Sequence, residues 1–336
     1  MKYKLVISIV AIVIIAISIF SYLSLSQPTE ATITINGSGA TFPYPLLSVM
    51  ISQYQKQKTN VQINYQSIGS GGGIAALEGK TVDFAASDAP LGATDMAKAP
   101  GSLHIPETIG AVTLAYNLPG IPTGLHLTGK VIADIFAGNV TMWNDPEIQN
   151  LNSNMTLPTK SILVVHRSDG SGTTFIFTGY LSASSPAWQE AIGQGKTVAW
   201  PAGIGANGNT GVASVVQGTQ ETMGYVELAY ALQNNMAVAA IQNTAGNWIL
   251  PSLNTIQLAV QSAASTGLPA GNQSWANVSL LNAPDPQAYP IVSFTYRARA
   301  RWLVPKMVKN GHKSCFVSQS LVWSSFASVS GCARTR

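Results

Sequence analysis

The sequence predicts an α/β fold of two lobes, and three observations lead to that prediction. Segments with the pattern of β-strands are followed within a few residues by Gly-Ser-Gly and then by a helix signal, an order typical of α/β proteins. The chain has 336 residues, enough for two domains of ordinary size. No Pro-rich or low-complexity linker separates two halves, so strands that cross between the lobes are expected to join them.

The N-terminus predicts a membrane-associated helix ahead of this fold. After Lys2 and Lys4 the chain is apolar from residue 5 to about residue 25, close to the roughly 20 residues that a helix needs to cross a bilayer. Residues 1–27 are interpreted as a signal anchor, with a cleaved signal peptide as the alternative. The two lysines are expected to stay cytoplasmic. The rest of the chain then lies at the cell surface or in a periplasm-like space.

Strand and helix signals follow one another along the rest of the chain. The predicted strands lie at residues 32–35, 61–65, 82–85, 111–116, 162–165 and 289–294. The predicted helices lie at about 45–57, 74–79 and 173–183. The first helix has prolines in its opening turn, where a missing N–H costs nothing. It also has one apolar face, typical of a helix that packs on a core, formed by Leu46, Val49, Met50 and Tyr54.

Two of these strands, 111–116 and 289–294, are the expected crossings between the lobes. They divide the chain into a first lobe, residues 32–111 plus 291–336, and a second lobe, residues 112–290.

The charge distribution argues against a nucleic-acid-binding protein. The chain carries a formal net charge of +4, but residues 5–296 hold eight basic and fourteen acidic side chains, a net of −6. A body that binds nucleic acid is expected to be basic. No nucleic-acid partner is therefore predicted.

The three Gly-Ser-Gly segments predict an anion site. They lie at residues 37–39, 69–71 and 170–172, each ahead of a predicted helix. Glycine-rich turns that lead into helix N-termini point several backbone N–H groups at one place, where the helix dipole also favours negative charge. Although a single such segment is more often an ordinary tight turn, three of them together indicate a cradle for an anion.

Two charged residues stand beside these segments. Arg167 is the only arginine before residue 297 and lies three residues ahead of the third segment; its planar fork can bind two oxyanion oxygens at once. The alternative is a surface arginine paired with Asp169, and both descriptions hold if Asp169 orients it. Asp88 follows the predicted strand 82–85, a position that alone suggests only a helix cap or a turn.

Enzymatic chemistry is disfavoured by the same sequence. A nucleophilic serine or threonine needs a placed base or metal, and none of the four histidines has the spacing of a metal site. The segment Glu78-Gly79-Lys80-Thr81 is similar to the end of a P-loop, but the required earlier glycine falls at Ile74. No metal, cofactor or catalytic residue is predicted. A surface-coat protein is a further alternative, but it would not need the anion cradle.

These segments together resemble PstS-type phosphate-binding proteins of phosphate ABC transporters. The resemblance spans about residues 34–296, in the order and at the spacing of that family. It is carried by residues 37–43 (GSGATFP), 64–73 (NYQSIGSGGG), 81–91 (TVDFAASDAPL), 167–177 (RSDGSGTTFIF), 200–211 (WPAGIGANGNTG) and 223–230 (MGYVELAY).

The resemblance implies a type II periplasmic-binding-protein fold whose two lobes close on a dehydrated phosphate, and a monomer that docks on ABC permease subunits. The implied phosphate contacts are Thr41, Phe42 through its N–H, Ser70, Asp88, Arg167, Ser171, Gly172 and Thr173. The implied supporting residues are Asp169, which braces Arg167, and the glycines Gly39, Gly69, Gly71 and Gly170.

Asp88 is the residue expected to set the choice of anion. An ionised carboxylate can only accept hydrogen bonds, so it requires a ligand that carries a proton. Phosphate offers that proton, whereas fully ionised sulfate would leave Asp88 unsatisfied beside like charge. A binding protein for another oxyanion, such as sulfate or molybdate, is the nearest alternative, followed by a phosphatase-like enzyme.

The sequence departs from the family pattern after Tyr296. Members of the family continue with an apolar strand and a helix, whereas here a basic stretch with no acidic residue follows, and it includes Cys315 and Cys332. This change is interpreted as an altered reading frame or a replaced terminus. The first lobe is then expected to lack its usual final elements.

Overall fold

The computed structural model describes residues 32–264 and 267–299, together with residues 3, 13–19 and 21. Most of the predicted apolar helix, the tail beyond residue 299 and both cysteines lie outside the described residues, so these interpretations stay predictions. Among the described residues, no helix combines the length and the hydrophobicity needed to cross a bilayer.

The described chain alternates strands and helices, and the predicted α/β class is confirmed. The strands are β1 (Ile33–Gly39), β2 (Val61–Ser67), β3 (Phe84–Ser87), β4 (Leu103–Asn117), β5 (His126–Leu127), β6 (Leu163–Arg167), β7 (Ile204–Ala206), β8 (Thr222–Glu227), β9 (Ala237–Val238), β10 (Ala240–Gln242), β11 (Trp248–Ile249) and β12 (Val292–Arg299). The α-helices are α1 (Tyr44–Gln57), α2 (Gly69–Glu78), α3 (Ala93–Lys98), α4 (Gly129–Ala137), α5 (Pro146–Gln149), α6 (Gly172–Ser184), α7 (Pro186–Ala191), α8 (Gly208–Gly218), α9 (Leu228–Gln233) and α10 (Leu253–Ala264).

One long strand joins two groups of strands in a nine-stranded mixed sheet. The strand order is β2-β1-β3-β12-β4-β8-β6-β7, with β9 also paired to β4. Residues 103–111 of β4 pair with β12, and residues 112–117 pair with β8. We call β1, β2, β3, β12 and the first part of β4 the first half-sheet. The second part of β4 with β6, β7, β8 and β9 is the second half-sheet.

The sequence of β4 suits its central position. Its residues from Gly110 to Tyr116 are all buried, and neighbouring strands cover both of its edges. A strand buried on both faces reads as a near-continuous apolar run, and residues 111–116 are apolar except for Thr113. The predicted strand therefore exists but extends to Leu103 on one side and Asn117 on the other.

The predicted start of the second helix, at residue 74, is wrong. Helix α2 begins at Gly69, so the glycines of residues 69–73 form its first turns. A Cβ on Gly73 would lie 2.4 Å from the Cα of Gly39, because the helix packs closely against β1. Glycine is unfavourable in a helix by about 1 kcal/mol relative to alanine, but here only glycine leaves room for that packing.

The apolar face predicted for the first helix is also wrong as a core face. In α1 the side chains of Leu46, Val49 and Met50 are between 39% and 53% exposed, whereas Leu47 is buried. The packed face contains Leu47 and the half-buried Ile51 and Tyr54. The helix is therefore rotated by about one residue from the orientation that its periodicity predicted.

The last described strand belongs to the first half-sheet. Strand β12 begins at Val292, three residues after the predicted start, and pairs antiparallel with both β3 and β4. It continues past Tyr296 to Arg299, which pairs with Leu103. The role of residues 289–294 as a crossing between lobes remains a prediction.

Candidate functional site

The predicted contact residues lie together between the two half-sheets, and all eight are buried. Four follow strands of the first half-sheet, namely Thr41, Phe42, Ser70 and Asp88. Four lie at the end of β6 or just beyond it, namely Arg167, Ser171, Gly172 and Thr173. The loops at the ends of β1, β2, β3 and β6 therefore bring together residues that are up to 132 positions apart in the chain.

Two of the three Gly-Ser-Gly segments face each other directly. The N–H of Gly71 donates a hydrogen bond to the carbonyl of Gly170 at 2.8 Å. A Cβ on Gly172 would lie 2.4 Å from the Oγ of Ser70 and 2.6 Å from the Cβ of Asp88. Glycine at position 172 is thus required for this close approach of the two sides.

The remaining Gly-Ser-Gly segment, residues 37–39, and Gly69 have different surroundings. Residues 37–39 form the end of β1, where they pair with β2 and β3, and Gly39 has a φ of 137°. Gly69 has a φ of 83° and lies beside the carboxylate of Asp169, so that a Cβ there would meet its Oδ2 at 2.3 Å. Only glycine adopts such a backbone readily.

Arg167 is fixed by three hydrogen bonds from its guanidinium. Its Nε donates to Oδ1 of Asp169 at 2.7 Å, its Nη2 donates to Oδ2 of the same carboxylate, and its Nη1 donates to Oγ1 of Thr173 at 3.2 Å. A guanidinium has five N–H groups, so one N–H on each Nη remains for other acceptors. These two N–H groups form the end of the fork, the geometry that binds two oxygens of one oxyanion.

Asp169 connects Arg167 to the backbone at the start of α8. Its Oδ1 also accepts a hydrogen bond from the N–H of Gly208 at 3.0 Å. Burial alone would raise the pKa of Asp169, but the hydrogen bonds and the charge of Arg167 hold the pKa below its usual value. Asp169 is therefore ionised at neutral pH and compensates the charge of Arg167.

Asp88 has only neutral partners. Its Oδ1 accepts a hydrogen bond from Oγ1 of Thr295 at 2.7 Å, and its Oδ2 lies 3.5 Å from Oγ of Ser70. Within residues 32–264 and 267–299, no basic side chain forms an ion pair with it. Burial raises the pKa of Asp88 to about 7, although the Thr295 hydrogen bond, the charge of Arg167 and Ser70 oppose the shift.

The N-terminus of α6 adds backbone donors to the site. Ser171 is its N-cap, and its Oγ accepts a hydrogen bond from the N–H of Thr174 at 3.0 Å. The N–H groups of Gly172 and Thr173 occupy the first turn, where no partner exists within the helix. Because the helix dipole also favours negative charge there, this turn is suited to an anion.

Asn209 connects the two sides of the site and was not found by sequence reasoning. It is fully buried in the first turn of α8, and its Nδ2 donates to Oγ1 of Thr41 at 2.8 Å and to Oγ1 of Thr173 at 3.2 Å. The sequence offered no signal for this role beyond the position of Asn209 in the segment 200–211. Thr295 was missed for the same reason, since its partner Asp88 is 207 positions away.

Two tyrosines and a glutamate complete the surroundings. The hydroxyl of Tyr230 donates a hydrogen bond to the carbonyl of Thr41 at 2.6 Å, and the hydroxyl of Tyr225 accepts one from the backbone N–H of Arg167 at 3.0 Å. Burial raises the pKa of Glu227 to about 8, and the charge of Asp88 adds to the shift. Among the described residues there is no group of three or more His, Cys, Asp and Glu placed to hold a metal ion.

Comparison with known proteins gives one consistent result. The family profile of the "PBP superfamily domain" matches residues 26–298. The phosphate-binding protein PstS of Xylella fastidiosa strain Temecula1 is 44% identical over 270 residues, which cover 78% of this chain and 70% of that protein. PstS of Pasteurella multocida strain Pm70 is 45% identical over 251 residues, which cover 73% of this chain and 70% of that protein.

A solved structure is similar to the described fold. The phosphate-binding protein from Stenotrophomonas maltophilia superposes with a TM-score of 0.58 at 20% sequence identity, and the match covers 83% of each chain. At this identity the likeness concerns the fold alone, and it confirms the fold class predicted from the sequence.

Proposed function

The chain belongs to the PstS phosphate-binding proteins of the PBP superfamily, and from this premise we propose that it captures inorganic phosphate for an ABC importer and catalyses no reaction. The observation that carries the proposal is the buried set of residues between the half-sheets. It combines neutral hydroxyl and N–H donors with one guanidinium and one carboxylate.

The donors of this set match the needs of a dehydrated oxyanion. Hydroxyls of Thr41, Ser70, Ser171 and Thr173, the N–H groups of Phe42 and of the first turn of α6, and the fork of Arg167 supply hydrogen bonds in place of water. Hydrogen bonds to a charged group contribute about 1.5–3 kcal/mol each, so a site of this kind compensates the loss of hydration.

The carboxylate of Asp88 selects phosphate among oxyanions. When it is ionised it accepts a hydrogen bond from the O–H of a mono- or dihydrogen phosphate. Its Oδ2 lies 3.5 Å from Oγ of Ser70, which is another of the proposed contacts. Sulfate carries no proton at neutral pH and leaves the carboxylate facing an anion without a hydrogen bond. The site therefore favours phosphate over sulfate or molybdate.

The two-lobe division forms part of this proposal. The pairing partner of β4 changes from β12 to β8 between Ala111 and Val112, which supports lobes of residues 32–111 plus 291–336 and of residues 112–290. Phosphate binds between them, and Asp169 holds Arg167 in place. The protein acts as a monomer outside the cytoplasm, tethered by residues 5–25 or released after cleavage, and delivers phosphate to permease subunits.

Isothermal titration of the purified protein with phosphate, sulfate and molybdate tests the proposal. We expect saturable binding of one phosphate per chain and at least tenfold weaker binding of the other two anions. A phosphatase assay with and without divalent metal ions is expected to show no turnover. Tighter binding of sulfate or molybdate would instead identify a binding protein for that anion, and turnover would identify an enzyme.

A further inference from the structure

We infer that Asn209 is a positioning residue that forces the hydroxyls of Thr41 and Thr173 to donate their protons into the anion site. The inference rests on the proposed function, because it concerns how the same site recognises its ligand. A hydroxyl has one proton and two lone pairs, so it can face a ligand either as a donor or as an acceptor. Its other hydrogen bonds decide between the two.

Both lone pairs of the Thr41 hydroxyl are occupied by Asn209. The backbone N–H of Asn209 donates to Oγ1 of Thr41 at 3.2 Å, and the side-chain Nδ2 donates to the same oxygen at 2.8 Å. The nearby Tyr230 hydroxyl binds the carbonyl of Thr41 and leaves Oγ1 untouched. With both acceptor positions filled, the hydroxyl can form a further hydrogen bond only by donating its proton.

The Thr173 hydroxyl is in the same state on the other side of the site. Its Oγ1 accepts from Nη1 of Arg167 at 3.2 Å and from Nδ2 of Asn209 at 3.2 Å. The two hydrogens of the Asn209 amide are thus divided between Thr41 and Thr173. A single side chain therefore sets the direction of hydroxyls that come from different half-sheets.

The orientation of the Asn209 amide is fixed by a group that can only donate. The backbone N–H of Glu227 lies 2.9 Å from Oδ1 of Asn209 and requires an acceptor there. A flipped amide would place Nδ2 against this N–H and an acceptor oxygen against the two threonines. Since Asn209 is fully buried, water does not replace the lost hydrogen bonds, and the flipped arrangement is disfavoured.

As a consequence, the hydrogen-bond directions of the site are fixed before the ligand binds. Thr41 and Thr173 both present protons, whereas the ionised Asp88 presents lone pairs. An oxyanion gains from the two donors without first turning them, and such pre-organisation reduces the cost of binding. Asn209 thereby acts on affinity without contacting the ligand itself.

A double-mutant cycle tests this role with phosphate titrations of the wild-type protein, Asn209→Leu, Thr41→Val and the double variant. Leucine has a similar size and no hydrogen-bonding group. We expect Asn209→Leu to weaken phosphate binding about tenfold or more, because two donors lose their fixed direction. In the Thr41→Val background, Asn209→Leu is expected to reduce phosphate affinity by a factor at least threefold smaller, because one of the two hydroxyls that Asn209 orients is already absent.

The controls separate a positioning role from a loss of fold. Asn152 is equally buried and also makes three hydrogen bonds, to His126 and Ile148, so Asn152→Leu is the matched variant. It is expected to lower the melting temperature without changing the phosphate affinity of the folded protein. Should Asn209→Leu fail to fold, Asn209→Ala replaces it, since alanine also lacks the two side-chain N–H donors and adds no charge beside the anion site.

The outcomes distinguish the two proposals. If the wild-type protein binds no phosphate, the proposed function fails. If the wild-type protein binds phosphate but the folded Asn209 variant binds it within twofold of wild type, the role of Asn209 is refuted. The role would also be refuted if the loss of phosphate affinity in the double variant equals the product of the losses in the two single variants, because Asn209 would then not act through Thr41.

Discussion

The two charged side chains of the site are held in opposite ways. On the second half-sheet, Arg167 has three of its N–H groups bonded within the protein, and its charge is compensated by Asp169. On the first half-sheet, Asp88 is equally buried, but its side-chain partners among the described residues are the neutral hydroxyls of Thr295 and Ser70. The cation is therefore fixed and paired, and the carboxylate is buried without a counter-ion in contact.

This difference separates two tasks of recognition. The pairing of Arg167 with an ionised Asp169 keeps the fork in one orientation over a wide pH range, so in the proposed function this side binds the negative charge of the ligand. Burial raises the pKa of Asp88 to about 7, so its protonation state changes near neutral pH, and in the proposed function its ionised form accepts the proton of the ligand.

Substitution of Arg167 is expected to have the largest effect on binding. Arg167→Lys keeps a positive charge but loses the planar fork, and we expect phosphate affinity to fall at least about a hundredfold, corresponding to two charge-assisted hydrogen bonds. Calorimetric titration measures the loss. Arg297→Lys is the matched control, because Arg297 lies 4.0 Å from Glu107 outside the site. A near wild-type phosphate affinity of Arg167→Lys would show that the guanidinium fork does not bind the ligand.

The Asp88→Asn variant is expected to change selectivity more than affinity. The amide can donate a hydrogen bond to an unprotonated oxygen, so sulfate no longer meets an unsatisfied carboxylate. We expect the ratio of phosphate to sulfate affinity to fall about tenfold or more, measured by competition between the two anions. An unchanged ratio would show that the carboxylate does not sense the ligand proton.

The two sides of the site were also unequally predictable from the sequence. Arg167 and Asp169 are two positions apart, so their spacing and opposite charges offered a pairing, as part of a surface alternative, and the family resemblance implied that Asp169 braces Arg167. The support of Asp88 comes from Thr295 on β12, which pairs with β3 but lies 207 positions away in the chain, and no local pattern indicates that contact. The helix start at Gly69 was missed because glycine propensity argued against it, whereas the packing of α2 on β1 required it.

The removal of the Thr295 hydroxyl tests the support of Asp88. Thr295→Val eliminates the hydrogen bond to Oδ1, which holds the carboxylate in place and favours its ionised form. We expect phosphate binding to weaken about threefold to tenfold at pH 8, the effect of one hydrogen bond. Thr295→Ser retains the hydroxyl and is expected to bind within twofold of wild type. Equal losses in both variants would indicate packing rather than the hydrogen bond.

The smallest expected effect is a pH dependence of the stability of the ligand-free protein. Burial raises the pKa of Asp88 to about 7 and of Glu227 to about 8, whereas the pKa of a carboxyl group in the unfolded chain is about 4. At these two carboxyls the native state binds more protons than the unfolded state between these values, which lowers the free energy of unfolding as pH rises. Burial lowers the pKa values of His104 and His166, whose contribution has the opposite sign, and we expect the two larger carboxyl shifts to outweigh it. We expect the melting temperature to be at least about 3 °C lower at pH 8 than at pH 5.

The variant that isolates this effect is Asp88→Asn combined with Glu227→Gln. Both amides keep an acceptor oxygen, for Thr295 in one case and for the N–H of Ala229 in the other. Without the two carboxyls the native and unfolded states differ less in proton uptake, so the melting temperature is expected to vary less between pH 5 and pH 8. A change in melting temperature between pH 5 and pH 8 that is the same in this variant and in the wild-type protein would contradict the raised pKa values, and with them the contrast between the unpaired Asp88 and the paired Arg167.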